Sequence, residues 1–195
     1  QDWGGPVGMG AMARSPDLMQ GAVEMNSGFI APIEQRDLSR APAMVKTPVV
    51  GELALEVFGS IFDRLPETQG DPASMPQDVR DLYGRPVLES GNAKAPVALM
   101  RMVPDGPDHP SAEQMREIEA YVASLSVPVE IVWGTQDPIL GQAMETMQQT
   151  FPNAPVTDTA AGHFLQEEVP VEIAEAILRV ASRIEADQQD ANLSQ

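Results

Sequence analysis

The alternation of apolar and polar stretches along the chain predicts helices and strands in turn. Residues 1–33 read as a glycine-rich turn, a helix and a strand, because an apolar run follows the break at Ser15 and Pro16. Towards the C-terminus, Ser111 is followed three residues later by Gln114, and this pair predicts a capping box at the start of a helix. The same alternation is therefore expected at both ends of the chain.

The C-terminal part continues this pattern once that helix ends near residue 125. The apolar run 129–133 predicts a buried strand, and residues 134–140 predict the loop that follows it. A helix is expected to end near residue 150, before a short strand at 155–159. This order of strand, helix and strand is typical of a parallel sheet covered by helices.

A last helix is predicted from about residue 171, and residues 187–195 are polar and expected to fray. Its apolar positions recur every three or four residues and predict one face packed on a sheet: Ile173, Ile177, Val180 and Ile184.

The stretch 34–97 differs from both flanks because it is rich in proline and contains one clear amphipathic helix near 51–64. We therefore predict a helical cap at 34–97, inserted between two α/β core segments at 1–33 and 98–195. Only about three strands are predicted, too few to cover the helices, so we expect an incomplete chain. As an isolated polypeptide it should aggregate or be inactive.

Composition excludes several classes of partner. The chain has 12 basic and 29 acidic residues and a formal net charge of −17, so phosphate backbones and anionic lipids repel it. No stretch reaches the ~18 apolar residues of a membrane helix. The absence of cysteine excludes disulfides, thiol catalysis and thiolate metal sites. A cytoplasmic protein is the expectation, although any leader would precede Gln1, and the sequence decides neither compartment nor oligomeric state.

Asp2 lies in a turn that could hold a nucleophile. The run from Gln1 to Pro6, with Gly4 and Gly5 inside it, has the form of a nucleophile elbow, a strained turn between a strand and a helix. The positive end of the helix dipole would keep a carboxylate there ionised. Taken alone, Asp2 reads more readily as the N-cap of that helix than as a nucleophile.

Two later residues complete a possible triad. Asp137 lies in the loop after a predicted buried strand, and His163 follows the next strand between Gly162 and Phe164. Alone, Asp137 before Pro138 would be a turn former and His163 a structural loop residue. The order nucleophile, acid, histidine is the order found in α/β-hydrolases.

The motifs that carry this triad resemble those of haloalkane dehalogenases over residues 1–185. Four segments support the resemblance: Gln1-Asp2-Trp3-Gly4-Gly5-Pro6, Leu82-Tyr83-Gly84-Arg85-Pro86, Arg101-Met102-Val103-Pro104 and Gly162-His163-Phe164-Leu165-Gln166-Glu167. The resemblance implies the C-terminal portion of an α/β-hydrolase fold with an inserted helical cap, truncated at its N-terminus.

The resemblance also implies a role for each site residue. Asp2 would be the nucleophile, His163 the base, Asp137 the acid and Trp3 the halide-binding residue. A carboxylate can displace halide from an sp³ carbon, and a histidine-activated water can then hydrolyse the ester. The expected partners are a small halogenated aliphatic substrate and water, with no cofactor and no metal.

The chain departs from the family pattern at two places. In one branch of the family the acid is a glutamate at the position of Asn26, which cannot ionise, so Asp137 must carry that role. A second residue that donates a hydrogen bond to the halide is also expected, either an asparagine upstream or a tryptophan in the cap. The only tryptophans are Trp3 and Trp133, so an upstream asparagine is the simplest resolution.

Three alternatives remain open. An epoxide hydrolase shares the triad but needs two cap tyrosines, and only Tyr83 lies in the cap. A serine esterase is disfavoured because Gly-x-Ser-x-Gly is absent, and an inactive fragment remains possible. Tyr83, Tyr121 and the loop residue His109 read as structural, and Phe29 reads as core more readily than as pocket lining.

Overall fold

Three short parallel strands form the only sheet in the part of the chain that the structure describes. The computed structural model describes residues 1–35, 37, 61–92 and 94–193. The strands are β1 (Ala22–Met25), β2 (Val129–Gly134) and β3 (Val156–Thr159), in that spatial order. Their directions agree, so all three end at one edge of the sheet.

The central strand β2 is buried along its whole length. It pairs with β1 from Ala22 opposite Val129 and with β3 from Ile131 opposite Val156. Both faces of a parallel strand between helices are covered, which explains the uninterrupted apolar run of the sequence. Trp133 and Ile131 are fully buried on one face and Val132 on the other.

Seven α-helices connect and cover the described strands. They are α1 (Gly4–Arg14), α2 (Gln77–Glu89), α3 (Ala95–Arg101), α4 (Ala112–Ala123), α5 (Met144–Thr150), α6 (Leu165–Glu168) and α7 (Pro170–Leu193). Four 3₁₀ turns lie at Pro16–Leu18, Ile61–Thr68, Pro72–Ser74 and Gly141–Ala143. None of the described helices is long and apolar enough to cross a membrane.

Two apolar clusters hold the helices against the two faces of the sheet. Met9 of α1, Val122 of α4 and Met147 of α5 pack with Trp133 on one face. On the other face, Ile173 and Ala176 of α7 pack with Val132 and with Leu165 of α6. The predicted α/β fold with a partial parallel sheet is therefore confirmed. The boundaries of the predicted cap stay a prediction.

The prediction of a capping box at Ser111 is wrong. Ser111 is the N-cap of α4, but its backbone is already helical (φ −84°, ψ −8°) and its side chain makes no cap hydrogen bond. An N-cap side chain reaches the free N–H groups from an extended backbone, which this residue lacks. Instead, the Ser111 N–H donates to Nδ1 of His109, and Gln114 bonds Arg14 and Glu117.

The last helix also differs from its prediction in two respects. Ile177 is 52% exposed, and the fully buried Ala176 faces the sheet instead, because a small side chain lets the helix lie close to it. The helix continues to Leu193 rather than fraying at 187, since no glycine or proline interrupts it. Of the amphipathic helix expected at 51–64, residues 51–60 lie outside the described residues. The remainder lies in the 3₁₀ turn Ile61–Thr68.

An unpredicted ion-pair cluster fixes α7 to the sheet. Glu130 of β2 is 2% exposed, and its carboxylate is paired with Arg179 at 3.0 Å and with Arg183. Arg183 also donates to the carbonyl oxygen of Val129. A buried carboxyl group stays ionised only when it is paired in this way, so the cluster fixes where α7 lies along β2.

We predict that Glu24 makes the fold less stable as pH rises. Its side chain in β1 is 5% exposed, and burial raises the pKa of its carboxyl from 4.5 to about 7. The group's stabilising contribution is complete below pH 4.5 and is lost as pH rises through 7, a change of up to about 3 kcal/mol. Glu24→Gln should therefore gain stability over the parent at pH 8 but not at pH 4.5.

Urea denaturation at both pH values measures this difference, and Glu185→Gln, at an exposed position of α7, is the matched control. Equal pH slopes for the parent and Glu24→Gln would contradict the assignment.

Candidate active site

Asp2 is held in a strained turn immediately before α1. Its φ of +47° lies in the left-handed region, which costs a non-glycine residue roughly 1 to 3 kcal/mol and is common at functional sites. The Gly4 N–H donates to the carbonyl of Gln1 at 2.8 Å, and the Gly5 N–H donates to that of Asp2 at 3.2 Å. The predicted elbow geometry is therefore present.

Ser27 packs directly against this turn. Its hydroxyl donates to the carbonyl oxygen of Asp2 at 2.8 Å. A Cβ on Gly5 would lie 2.0 Å from the Ser27 hydroxyl oxygen, so only glycine fits there. The Asp2 N–H also donates to the carbonyl of Asn26 at 3.0 Å, and the elbow is thus joined to the end of β1.

Trp3 follows Asp2 directly and has two N–H groups, one on its backbone and one on its indole ring. It precedes α1 as the N-cap residue, and its backbone N–H has no backbone acceptor among the described residues. Its half-buried indole lines the same cavity as Asp2. Both groups can therefore donate to an anion that forms next to Asp2.

His163 joins the two predicted carboxylates. Its ring is 4% exposed, with Nδ1 2.9 Å from Oδ2 of Asp137 and Nε2 3.9 Å from Oδ2 of Asp2. A carboxylate only accepts hydrogen bonds, so Nδ1 carries the proton in the contact with Asp137, while Nε2 faces Asp2. The structure thus brings all three predicted residues together.

The Asp137 carboxylate is kept ionised although it is buried. Burial by itself raises its pKa, but the hydrogen bond and charge of His163 and the hydrogen bonds from Asn26 and the Ile139 N–H together hold it below the usual 3.8. Since Asp137 is 5% exposed, it is a buried anion that stabilises a protonated imidazole.

Sequence reasoning missed the part that Asn26 plays. This fully buried residue donates from Nδ2 to Oδ2 of Asp137 at 2.8 Å and to the Gly134 carbonyl at 2.9 Å. Its Oδ1 accepts from the Gly134 N–H at 2.7 Å. Asn26 therefore holds the acid and its loop in place. The sequence did offer one signal for this role. Asn26 directly follows β1, whose end lies next to the end of β2.

Gln1 is a second residue that sequence reasoning missed. Its amide nitrogen lies 2.9 Å from the carbonyl oxygen of His163 and 3.3 Å from Nε2 of the ring. The imidazole therefore has a polar neighbour on the side that faces Asp2.

A cavity of about 340 Å³ opens beside Asp2 and Trp3. Its remaining described lining comes from the segment after β1, from α1, from the 103–104 loop and from helices α4 and α5: Pro6, Ser27, Gly28, Phe29, Ile30, Val103, Pro104, Met115, Leu140, Ala143, Thr146, Met147 and Thr150. Phe29 belongs both to this wall and to the core, where it is 2% exposed. The space suits a small, largely apolar molecule.

Tyr83 and His109 are engaged elsewhere. The Tyr83 hydroxyl donates to Glu167 at 2.7 Å and accepts from Gln166 at 2.7 Å. Burial, and to a smaller extent the hydrogen bond to Glu167, raises the pKa of Tyr83 to about 12. His109 is in a loop as predicted, but it is half-buried, with Nε2 3.1 Å from the Arg101 carbonyl oxygen.

Comparison with known proteins supports the resemblance, although no family model matches the chain. Haloalkane dehalogenase 1 of Mycobacterium tuberculosis is 29% identical over 186 residues, which are 91% of this chain and 58% of that protein. The chain therefore spans little more than half the length of this relative. A cis-3-alkyl-4-alkyloxetan-2-one decarboxylase of Shewanella oneidensis is 25% identical over 178 residues, 88% of this chain and 55% of that protein.

Solved structures show the same fold. A loop variant of the haloalkane dehalogenase DbeA from Bradyrhizobium elkanii superposes with a TM-score of 0.78 at 20% identity, over 98% of this chain and 68% of that one. The chain has an α/β-hydrolase fold. The putative ancestral haloalkane dehalogenase AncHLD2 also superposes with a TM-score of 0.78. The two are 22% identical, and the match covers 95% of this chain and 67% of that one. The sequence relatives confirm the resemblance of this chain to haloalkane dehalogenases, and the solved structures show the shared fold.

We predict that Asn26→Asp destabilises the protein at neutral pH. Aspartate has the same shape as asparagine and also tolerates the positive φ of this residue (+30°). The substitution, however, places a second carboxylate oxygen where Nδ2 of Asn26 donates to Asp137. An unpaired buried charge costs about 3 kcal/mol. Because repulsion raises the pKa of the new carboxyl, the loss should be largest at pH 7 and should shrink towards pH 4.

Urea denaturation at several pH values measures this effect. Asn92→Asp, at an exposed position, is the control and should change stability by less than about 0.5 kcal/mol. A pH-independent loss in Asn26→Asp would argue against the bond to Asp137.

Proposed function

We propose that this chain carries the catalytic residues of a haloalkane dehalogenase-type hydrolase, with Asp2 as nucleophile, His163 as base and Asp137 as the acid that supports it. The observation that carries this proposal is the single buried imidazole, 2.9 Å from one carboxylate and 3.9 Å from the other. The proposed partners are a small halogenated aliphatic substrate and water.

In the first step the Asp2 carboxylate attacks the carbon that bears the halogen. A carbon–oxygen bond forms as the carbon–halogen bond breaks, and the bonding pair leaves with the halide. The Trp3 indole N–H stabilises the negative charge that develops on the leaving halogen. The product is an alkyl ester on Asp2.

In the second step water hydrolyses the ester. Nε2 of His163 takes a proton from water, and the resulting hydroxide adds to the carboxyl carbon of the ester. The backbone N–H of Trp3 stabilises the oxyanion, and Asp137 stabilises the imidazolium. The intermediate collapses to the Asp2 carboxylic acid and an alkoxide. The alkoxide takes a proton from the imidazolium of His163 and leaves as the alcohol, and the Asp2 carboxyl group releases its own proton to solvent, which restores the carboxylate.

The epoxide hydrolase alternative is less favoured. It needs cap tyrosines whose hydroxyls face the substrate, whereas the Tyr83 hydroxyl is bonded to Glu167 and Gln166. The inactive-fragment hypothesis is the competing prediction, because it expects no bromide release from the isolated 195 residues. The match to the oxetanone decarboxylase supplies a third assay: alkene and carbon dioxide from a cis-dialkyl oxetan-2-one.

We predict that bromide release from 1-bromobutane exceeds diol formation from styrene oxide and alkene formation from the oxetanone. Asp2→Ala should abolish bromide release, since no nucleophile remains. His163→Gln should release one equivalent of bromide per site and then stop, with a butyl group on Asp2 detected by mass spectrometry. Steady turnover in His163→Gln would sink the assignment of the base.

We also predict that Trp3→Phe lowers kcat/KM for bromide release by about 100-fold, because it removes one donor to the developing halide charge. The ring volume is largely kept, so the melting temperature should change little. Pre-steady-state bromide release measures the first step directly. A slower second step with an unchanged first step would contradict the role of the indole.

A single turnover in water enriched in oxygen-18 checks the ester. We predict that the alcohol is unlabelled and that the label enters the Asp2 carboxylate, because its oxygen attacks the substrate and water attacks the carboxyl carbon. Labelled alcohol from the first turnover would instead indicate direct displacement by water.

A further inference from the structure

The backbone around His163 is held by a segment far from it in sequence, residues 68–71, which we name the clamp segment. The His163 N–H donates to the Thr68 carbonyl at 2.8 Å. Gln69, 8% exposed, accepts from the Phe164 N–H at 2.9 Å, and its Nε2 lies 3.2 Å from the Phe164 carbonyl oxygen. The clamp segment therefore bonds to the backbone of His163 and of the residue after it.

Glu168 joins the other side of the histidine loop to the same segment. One carboxylate oxygen accepts from the Gly162 N–H at 2.8 Å and from the Gly70 N–H at 3.1 Å. The other accepts from the Asp71 N–H at 2.7 Å. One carboxylate thus receives three backbone donors, from residues on both sides of the contact.

The two backbones touch directly at glycines. A Cβ on Gly162 would lie 2.3 Å from the Thr68 carbonyl oxygen, and one on Gly70 would lie 2.1 Å from the Ala160 carbonyl oxygen. A side chain at either position would force the segments apart. This approach leaves the loop little freedom to shift relative to the clamp segment.

We infer that Gln69 and Glu168 are positioning residues for the base of the reaction. They fix the backbone from which the imidazole projects, while Asp137 fixes the ring itself through Nδ1. This inference rests on the proposed function. Its consequence is specific, because only hydrolysis of the ester uses His163, whereas attack by Asp2 does not.

Gln69→Leu and Glu168→Gln separate the two steps. Each should lower kcat for bromide release by about 100-fold, because a small misplacement of a catalytic group has an effect of this size. The first equivalent of bromide should appear at the parent rate, and the butyl ester on Asp2 should accumulate. A defect confined to folding would lower both steps together through the fraction of active enzyme.

Two further variants make the comparison interpretable. Glu67→Gln changes an exposed carboxylate next to the clamp segment. Among the described residues this carboxylate is bonded to Arg64 alone, and the substitution should leave both steps unchanged. Gln69→Glu keeps the acceptor for the Phe164 N–H and should recover part of the lost kcat. If Gln69→Leu does not fold, Gln69→Glu and Glu168→Gln still carry the test.

The low-field NMR signal of the His163 Nδ1 proton, assigned by its loss in His163→Gln, gives a readout that needs no turnover. It should shift or broaden in Gln69→Leu and Glu168→Gln and stay in place in Glu67→Gln. If the parent protein neither releases halide nor forms the ester on Asp2, the proposed function is refuted. The NMR signal would still test whether Gln69 and Glu168 position the His163 ring. Unchanged spectra, or equal losses in both chemical steps, would overturn the inference.

Discussion

The arrangement of the site depends on one constraint: the imidazole of His163 must meet two carboxylates that come from distant parts of the chain. Three neighbouring parallel strands satisfy it, because their carboxyl ends lie at one edge of the sheet. Asp137 follows β2 and His163 follows β3, while Asn26, at the end of β1, bonds to the elbow that carries Asp2. The apolar packing of β2 therefore sets the distances on which the chemistry depends.

Much of this could be predicted from sequence because the relevant signals are local. The apolar run of β2, the glycines after Asp2 and the glycine before His163 are each visible within short windows, and the order of aspartate, aspartate and histidine along the chain links them. They predicted the parallel sheet, its helices and the three residues that the structure brings together. The error at Ser111 was also local, since residue types alone do not reveal that a helical backbone aims the side chain away from the free N–H groups.

The contacts that support the site could not be read from sequence because they are long-range and depend on exact orientation. Asn26 was recognised only as a residue that cannot ionise, whereas its amide bonds both Asp137 and Gly134. Glu168 resembled any acidic residue shortly before a predicted helix, and nothing local links it to Gly70. Buried polar groups need partners, but the sequence does not say which.

The close contact between the clamp segment and the histidine loop limits how the molecule can be rebuilt. Exchanging the insertion of an α/β-hydrolase for that of a relative is a natural way to alter what the pocket admits. Here the Thr68 carbonyl lies where a Cβ on Gly162 would be, so residues 68–71 belong with the recipient core. A graft that includes residues 68–71 would carry foreign backbone into the support of the base, whereas one confined to residues before Thr68 or after Asp71 would leave that support intact.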